Sequence, residues 1–490
     1  MKSKVACVKR LAPAAAMVAL LCPVHLAAQK APAKMHPQAA RRASAANGEP
    51  VHLTAAQDRE RTLRLMGIKN SQMRPEPSST GIDARHAANY NEAKANIYPT
   101  LPNALVLNDG QRVTTAKMWW KERRPQIVAL FDKNIYGYTP KHLPKVTWTV
   151  VRSTREHADG MDMVTQYIVG HVDNSIDPKI SVRIPLLLVT PAHAAGPVPV
   201  IMELALGSEF KTALAGPVAG IPDKWAVPWQ PVLRRGWGFA ELSATTVQAD
   251  TGAGLTEGII GLMNHGQPRG LYDWGVLKAW AWGASQALNY FETDKAVNAK
   301  EVGVEGHSRM GKAALVAMAY DPRFAIVYSS SSGEGGAKLY RHDFGEPLTS
   351  ITSVSLYHWF DGYFLRYGGP ENAGDLPVDA HELIALCAPR PVFIGGGADV
   401  GDGYVNPNGD GWADTKGMFL AEVAAGPVYR LLGAKGLGTT VYPPMETALI
   451  SGDLGFRQQP GGHTPKPNWP YFLEFASHYF HTPGAAASGK

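Results

Sequence analysis

Cysteine is almost absent from this chain of 490 residues, which has three. Cys7 and Cys22 fall inside an N-terminal export signal described below, which leaves Cys387 alone in the mature protein. One cysteine makes no internal disulfide and no thiolate metal cluster. It lies in the apolar run from Leu383 to Val392, where a thiol reads as packing rather than as a nucleophile. Phosphate-cradling glycine loops, dinucleotide fingerprints and zinc-ligand spacings are missing as well, so no cofactor and no metal is expected. The segment Asn406-Pro407-Asn408-Gly409-Asp410-Gly411 looks like the first half of a calcium loop. Its twelfth position, however, is Gly417 instead of a glutamate, and calcium is rejected. Long apolar runs are lacking too. The stretch from Leu11 to Leu26 is short for a span and is broken by Pro13, Pro23 and His25, so no membrane anchor is expected. The positive charge is equally slight. A formal +6 falls to +2 once Lys2, Lys4, Lys9 and Arg10 of the export signal are set aside. No nucleic-acid partner follows from such a balance.

What the chain does have is a tripartite layout. Residues 1–28 read as a signal peptide: a basic start, an apolar stretch, and Leu26-Ala27-Ala28 before a cleavage point at Gln29. A secreted or periplasmic location follows. Residues 29–95 are rich in Ala, Pro, Ser and Asn with little apolar periodicity, and read as a low-complexity tail or linker. Residues 96–485 have globular patterning, with 45% of the whole chain hydrophobic. Thr115 to Tyr138 reads as a helix. Val146–Thr154, Met163–Val172 and Ile180–Thr190 read as strands. Val198–Leu206 and Trp237–Thr245 are continuously apolar, as parallel strands buried on both faces are. Asp273 is placed to cap a helix reaching Phe291, followed by strand 301–306, helix 309–320, strand 325–330, strand 391–396, helix 415–432 and helix 470–481. Strands alternating with helices predict an α/β fold, a mostly parallel sheet covered on both faces.

One stretch carries chemistry. Gly303-Val304-Glu305-Gly306-His307-Ser308-Arg309-Met310-Gly311-Lys312 reads as strand, sharp turn and helix. A serine on that turn is the nucleophile elbow of an α/β-hydrolase, with the second glycine one residue later than in G-x-S-x-G. A serine needs a base, and the base needs an orienting acid, in the chain order Ser, acid, His. His463, in Pro460-Gly461-Gly462-His463-Thr464, suits the base; His307 reads as packing. The acid is open among Asp399, Asp402, Asp410 and Asp414 on the loop after strand 391–396, with Glu334 on the earlier loop as a further candidate. Arg309 and Lys312 are cations at a helix start, where the macrodipole opposes them, which favours a functional reading.

Gly306-His307-Ser308-Arg309-Met310-Gly311-Lys312 resembles the serine motif of the glucuronoyl esterases, carbohydrate esterase family 15. Phe344-Gly345-Glu346, Asp410-Gly411-Trp412-Ala413-Asp414-Thr415-Lys416-Gly417 and Gly462-His463 resemble further motifs of that family in the same order, over Leu101 to Phe480. The resemblance implies an α/β-hydrolase fold and a serine esterase without a cofactor. Its substrate would be an ester of (4-O-methyl-)glucuronic acid, as in the lignin-carbohydrate cross-links of glucuronoxylan. It implies Ser308 as nucleophile, His463 as base, Asp410 as acid and Arg309 in the oxyanion hole. Lys312, Glu346 and Trp412 would hold the sugar. Some members place a catalytic Glu 23 residues after the serine, where this chain has Ser331. Alternative readings are a broader carbohydrate (acetyl xylan) esterase and an inactive carbohydrate-binding relative.

Overall fold

The computed structural model describes residues 49–76, 88–207, 229–398 and 409–482. The proposed signal peptide, Asp399 and Asp402 lie outside the described residues. The architecture is a nine-stranded sheet with strand order β1-β2-β3-β5-β4-β6-β7-β8-β9. Its strands are β1 (Val146–Ala158), β2 (Met161–Val172), β3 (Arg183–Pro191), β4 (Val198–Ala205), β5 (Gly238–Ser243), β6 (Val297–His307), β7 (Ile326–Ser330), β8 (Val392–Gly397) and β9 (Leu454–Gln459). From β5 through β9 every neighbouring pair is parallel; β1, β2 and β3 form an antiparallel wing.

Alternate residues of the strands enter two cores. Val304, Val327 and Ile394 pack on α3 (Val276–Phe291), α4 (Arg309–Tyr320), α5 (Ala380–Cys387) and α6 (Thr415–Leu431). Ile326, Tyr328 and Phe393 face the other way, onto Trp229–Leu233 and α7 (Trp469–Ser477). Helices thus cover both faces, and the period-two alternation of each strand divides its residues between them. Cys387 is fully buried and packs in the first core.

Four local expectations differ. Residues 55–65, within the low-complexity tail of the sequence reading, form a helix, α1, followed by α2 (Arg124–Asn134). The buried positions of α1 are Asp58, Arg59, Thr62 and Leu63, three of them polar, so apolar periodicity gives no signal there. The helix expected from Thr115 is interrupted by a π-helical turn at Trp119–Arg123, just before Pro125, whose missing N–H cannot continue the ladder. Strand β9 has no counterpart in the sequence reading, because its outer half is Arg457, Gln458 and Gln459, all buried and hydrogen-bonded internally. Gly275, not Asp273, is the N-cap of α3; Asp273 instead accepts from Gly270 N at 2.7 Å. Among the described residues no helix is long and apolar enough to cross a membrane.

Candidate active site

The carboxyl ends of four adjacent parallel strands meet at one place. Strand β6 ends in His307-Ser308, β7 leads to Ser331 and the loop to Glu346, β8 leads to Asp410–Trp412, and β9 leads to His463. Open parallel sheets place their ligands at such ends.

Ser308 stands between β6 and α4 with φ 60° and ψ −127°, a conformation costly for any residue but glycine. The turn closes because of its glycines. A Cβ on Gly306 would meet Met310 O at 2.2 Å, and one on Gly311 would meet Gly306 O and Ser330 O at 2.8 Å. The second glycine is therefore needed at 311, where the first turn of α4 crosses both β6 and the end of β7. Ser308 N donates to Ser330 O at 2.8 Å, which pins the elbow to the neighbouring strand. Ser308 itself is half-buried.

His463 is positioned by a carboxylate and two rings. Its Nδ1 lies 2.7 Å from Asp410 Oδ1. The His307 ring packs at 4.2 Å on its ring and Trp412 at 4.9 Å. His307 also contacts Ser330 Oγ through Nδ1 at 3.0 Å, so its packing position is fixed by a hydrogen bond. Asp410 is fully buried, and its Oδ2 accepts from Gly397 N at 2.6 Å and from Ser331 Oγ. A Cβ on Gly397 would meet Gly461 O at 2.5 Å and Asp410 Cβ at 2.8 Å. The glycine end of β8 is thus what allows the Asp410 and His463 loops to converge.

The remaining acid candidates have other partners. Asp414 Oδ1 accepts from Gly417 N at 2.8 Å as the cap of α6, and its Oδ2 lies 2.6 Å from His342 Nδ1. Glu334 is fully buried against Lys338, whose ammonium also donates to Glu346 O at 2.9 Å. Although burial opposes it, the Glu334 carboxylate raises the Lys338 ammonium above its ordinary value.

Lys312 is 2% exposed and directs its ammonium at Ser332 O (2.7 Å), Glu334 O (2.6 Å) and Glu346 Oε2 (3.2 Å). Burial pushes its pKa down, with Glu346 opposing. An ammonium has three donors. A sugar hydroxyl reaching Lys312 must therefore share one of them. Glu346 Oε2 also accepts from Glu334 N at 3.2 Å, and Glu346 N donates to Trp412 O at 2.8 Å. Glu346 and Trp412, distant in sequence, are thereby joined beside His463.

Arg309 has a 35% exposed side chain, with Nη1 2.6 Å from Asp250 Oδ2 and its Cζ 5.1 Å from the Trp359 ring centre. Asp250 and Trp359 escape sequence reasoning, and Ser331 enters it only as the place of a missing glutamate. Asp250 stands in a loop and Trp359 in a short 3-10 turn, both far along the chain from Arg309, and no spacing links them to it.

Residues 267–433 match a family model described as glucuronyl esterase, fungi. A carbohydrate esterase, MZ0003, from an unknown prokaryotic organism is 33% identical over 80% of this chain and 92% of its own length. The 4-O-methyl-glucuronoyl methylesterase 1 of Wolfiporia cocos is 28% identical over 68% of this chain and 72% of its own. Among solved structures, a family 15 glucuronoyl esterase from Teredinibacter turnerae superposes with a TM-score of 0.78 at 39% identity, covering 87% of this chain and 99% of that one. A glucuronoyl esterase from Solibacter usitatus gives 0.68 at 34% identity, covering 79% and 99%. With the hydrolase fold, the serine elbow and relatives of this identity and coverage in hand, the chain belongs to carbohydrate esterase family 15, the glucuronoyl esterases.

Proposed function

We propose that this protein is a serine esterase that cleaves esters of (4-O-methyl-)glucuronic acid through an acyl-enzyme, with Ser308, His463 and Asp410 as its relay. The observation that best supports the reading is the 2.7 Å contact of His463 Nδ1 with the buried Asp410, at the strand ends that carry the Ser308 elbow. Asp410 holds the imidazole in the tautomer that leaves Nε2 to take the serine proton. Ser308 Oγ attacks the ester carbonyl carbon, and the carbonyl oxygen becomes an oxyanion. Arg309, on the first turn of α4, stabilises that charge; a preorganised donor of this kind contributes about 3–4 kcal/mol. The tetrahedral species collapses, the C–O bond to the alcohol breaks, and His463 returns its proton to the leaving oxygen. Water then repeats the sequence on the acyl-enzyme and releases the free uronate. Glu346 and Trp412 receive the sugar, and Lys312 holds Glu346 in place while bordering the same site.

The substrate class follows the family and its prokaryotic relatives, whose names describe carbohydrate and glucuronoyl esterases. Export directed by residues 1–28 would bring the enzyme to lignin-carbohydrate esters of glucuronoxylan outside the cytoplasm. The test is hydrolysis of methyl and benzyl glucuronate beside acetylated xylan by the purified chain. Glucuronate esters are expected to be cleaved, and the cleavage to vanish in Ser308→Ala. Deacetylation without glucuronate cleavage would replace the substrate reading with that of an acetyl xylan esterase. Failure of a fluorophosphonate to label Ser308 would point to an inactive binding protein.

A further inference from the structure

We propose that Asp250 is a positioning residue for the reaction: its carboxylate, held by His358 and Trp359, fixes the guanidinium of Arg309 where the oxyanion forms. The inference rests on the reading of Ser308 as nucleophile and Arg309 as its oxyanion donor.

Four observations converge on Asp250. It lies in the loop after Ala244–Val247, the short helix that follows β5, and collects three donors. Arg309 Nη1 approaches its Oδ2 at 2.6 Å, while His358 Nε2 at 2.9 Å and Trp359 Nε1 at 2.7 Å approach its Oδ1. Two of those donors belong to adjacent residues of one segment, so the carboxylate is clamped from one side and presents its other oxygen to Arg309. Second, the Trp359 indole that donates to Asp250 also lies under Arg309, at 5.1 Å from its Cζ, and under the Lys312 ammonium at 5.4 Å. Carboxylate and ring together define the plane and position of the guanidinium, which isolated contacts do not. Third, Arg309 Nε is buried without a hydrogen-bond partner among the described residues, although the side chain is 35% exposed. A guanidinium anchored through Nη1 with a donor left over suits a charge that appears only during reaction. Fourth, His358 is buried and burial lowers its pKa, so it reaches Asp250 as a neutral N–H donor. It adds no second cation against Arg309. Burial opposes ionisation of Asp250, but His358, Arg309 and Trp359 outweigh it and hold the carboxyl well below its ordinary range.

The arrangement also answers why a cation is tolerated at the start of α4, against the helix dipole. Asp250 compensates it from outside the helix. A guanidinium that is already oriented does not have to reorganise as charge develops, which is the source of oxyanion stabilisation.

The experiment is a double-mutant cycle. Asp250→Asn, Asp250→Glu and Trp359→Phe are made in the wild type and in Arg309→Ala, and kcat and KM are measured on benzyl glucuronate and on an aryl acetate. Asp250→Asn should lower kcat by about 10–100-fold on both esters, the loss expected of a misplaced oxyanion donor. KM should stay within about 3-fold, because the interaction is made in the transition state. Asp250→Glu should recover part of the loss. In Arg309→Ala, where no guanidinium remains to be positioned, Asp250→Asn should change kcat by less than about 2-fold. Trp359→Phe keeps a ring but removes one donor, and should give a smaller loss with the same dependence on Arg309. It carries the test if Asp250 variants fail to fold. An equal fold loss with and without Arg309, or a rise in KM at constant kcat, would overturn the proposal. If the wild type cleaves the acetate but not glucuronate esters, the substrate reading falls and the cycle on the acetate still decides the role of Asp250. Cleavage of neither ester would remove both.

Discussion

Removing Ser308, the proposed nucleophile, should leave a folded but silent protein. Ser308→Ala and His463→Ala are each expected to lower kcat on glucuronate esters by about 10⁴–10⁶-fold, and the double variant to be little worse, since the residues act as a unit. Matched kinetics of the three variants check this. The choice of acid is sharper. Asp410 is tied to His463, Gly397 and Ser331, whereas Glu334 is enclosed with Lys338. Asp410→Asn should therefore lower kcat by about 10³–10⁴-fold, because an amide no longer selects the productive tautomer. Glu334→Gln should instead leave Lys338 buried and unpaired, lowering stability by about 3 kcal/mol with kcat of the folded fraction within about 10-fold. Urea unfolding beside activity separates the two, and a larger kcat loss for Glu334→Gln would move the acid to the earlier loop. Where some family members are expected to carry their catalytic Glu, Ser331 donates a hydrogen bond to Asp410, the proposed acid.

Strands and turns bring in constraints that single residues do not. Gly311→Ala is expected to be incompatible with the elbow, since its Cβ has backbone oxygens at 2.8 Å on two sides. A lowered melting temperature with loss of activity is the expected outcome. Three glutamates align across the middle of the sheet: Glu241 pairs with Glu203, and Glu203 with Glu305, with Tyr328 next in register. Glu305 is fully buried and its oxygens find no hydrogen-bond partner among the described residues. Burial holds the Glu203 and Glu305 carboxyls well above their ordinary range. The folded protein thus keeps protons that the unfolded chain releases near pH 4.5, the ordinary glutamate value. The stability these two carboxyls contribute is fully present below that value and is lost as pH rises through the interval up to their folded pKa. Glu305→Gln should flatten this fall, so that its stability relative to wild type improves from pH 5 to pH 8 in urea titrations. A constant difference at the two pH values would show that Glu305 does not hold its proton. The parallel strands were legible because they are continuously apolar, and the elbow because glycines bracket a serine. Strand β9 was not, since Arg457, Gln458 and Gln459 are polar residues satisfied inside the protein. His463 was still found, from the glycines before it. Residue patterning left the acid open, because a loop with several aspartates does not disclose which one faces the imidazole; the family resemblance pointed to Asp410, and its contact with His463 supports that assignment.

The segment at 55–65 ties the whole molecule together in a way its composition hides. Helix α1 is capped by Thr54, and three of its four buried residues are polar. Arg59 Nε donates to Thr352 O at 2.8 Å, and Arg61 Nη1 donates to Arg269 O at 3.1 Å. Asp58 Oδ2 accepts from Tyr357 Oη at 2.9 Å. Tyr357 is the residue before His358 and Trp359, and a Cβ on Gly252 would meet its hydroxyl at 2.5 Å. The tyrosine is therefore packed between α1 and the turn that follows Asp250. A chain of contacts runs from α1 through Tyr357 to the His358–Trp359 pair, and from there through Asp250 to Arg309. Removing residues 1–66 should lower the melting temperature by several degrees, as expected when Leu63 and a set of buried hydrogen bonds are lost from a large domain. It should also lower kcat on glucuronate esters more than it raises KM, because the support beneath Arg309, the proposed oxyanion donor, loosens while Glu346 and Trp412 are untouched. Asp58→Ala removes the link to Tyr357 and the ion pair with Arg61, and should reproduce part of the kcat effect with a smaller loss of stability. Measuring melting and steady-state kinetics on both variants separates the alternatives. If the truncated protein keeps wild-type kcat at temperatures where it is fully folded, α1 contributes to stability alone, and the coupling from the N-terminal helix to the reaction must be abandoned.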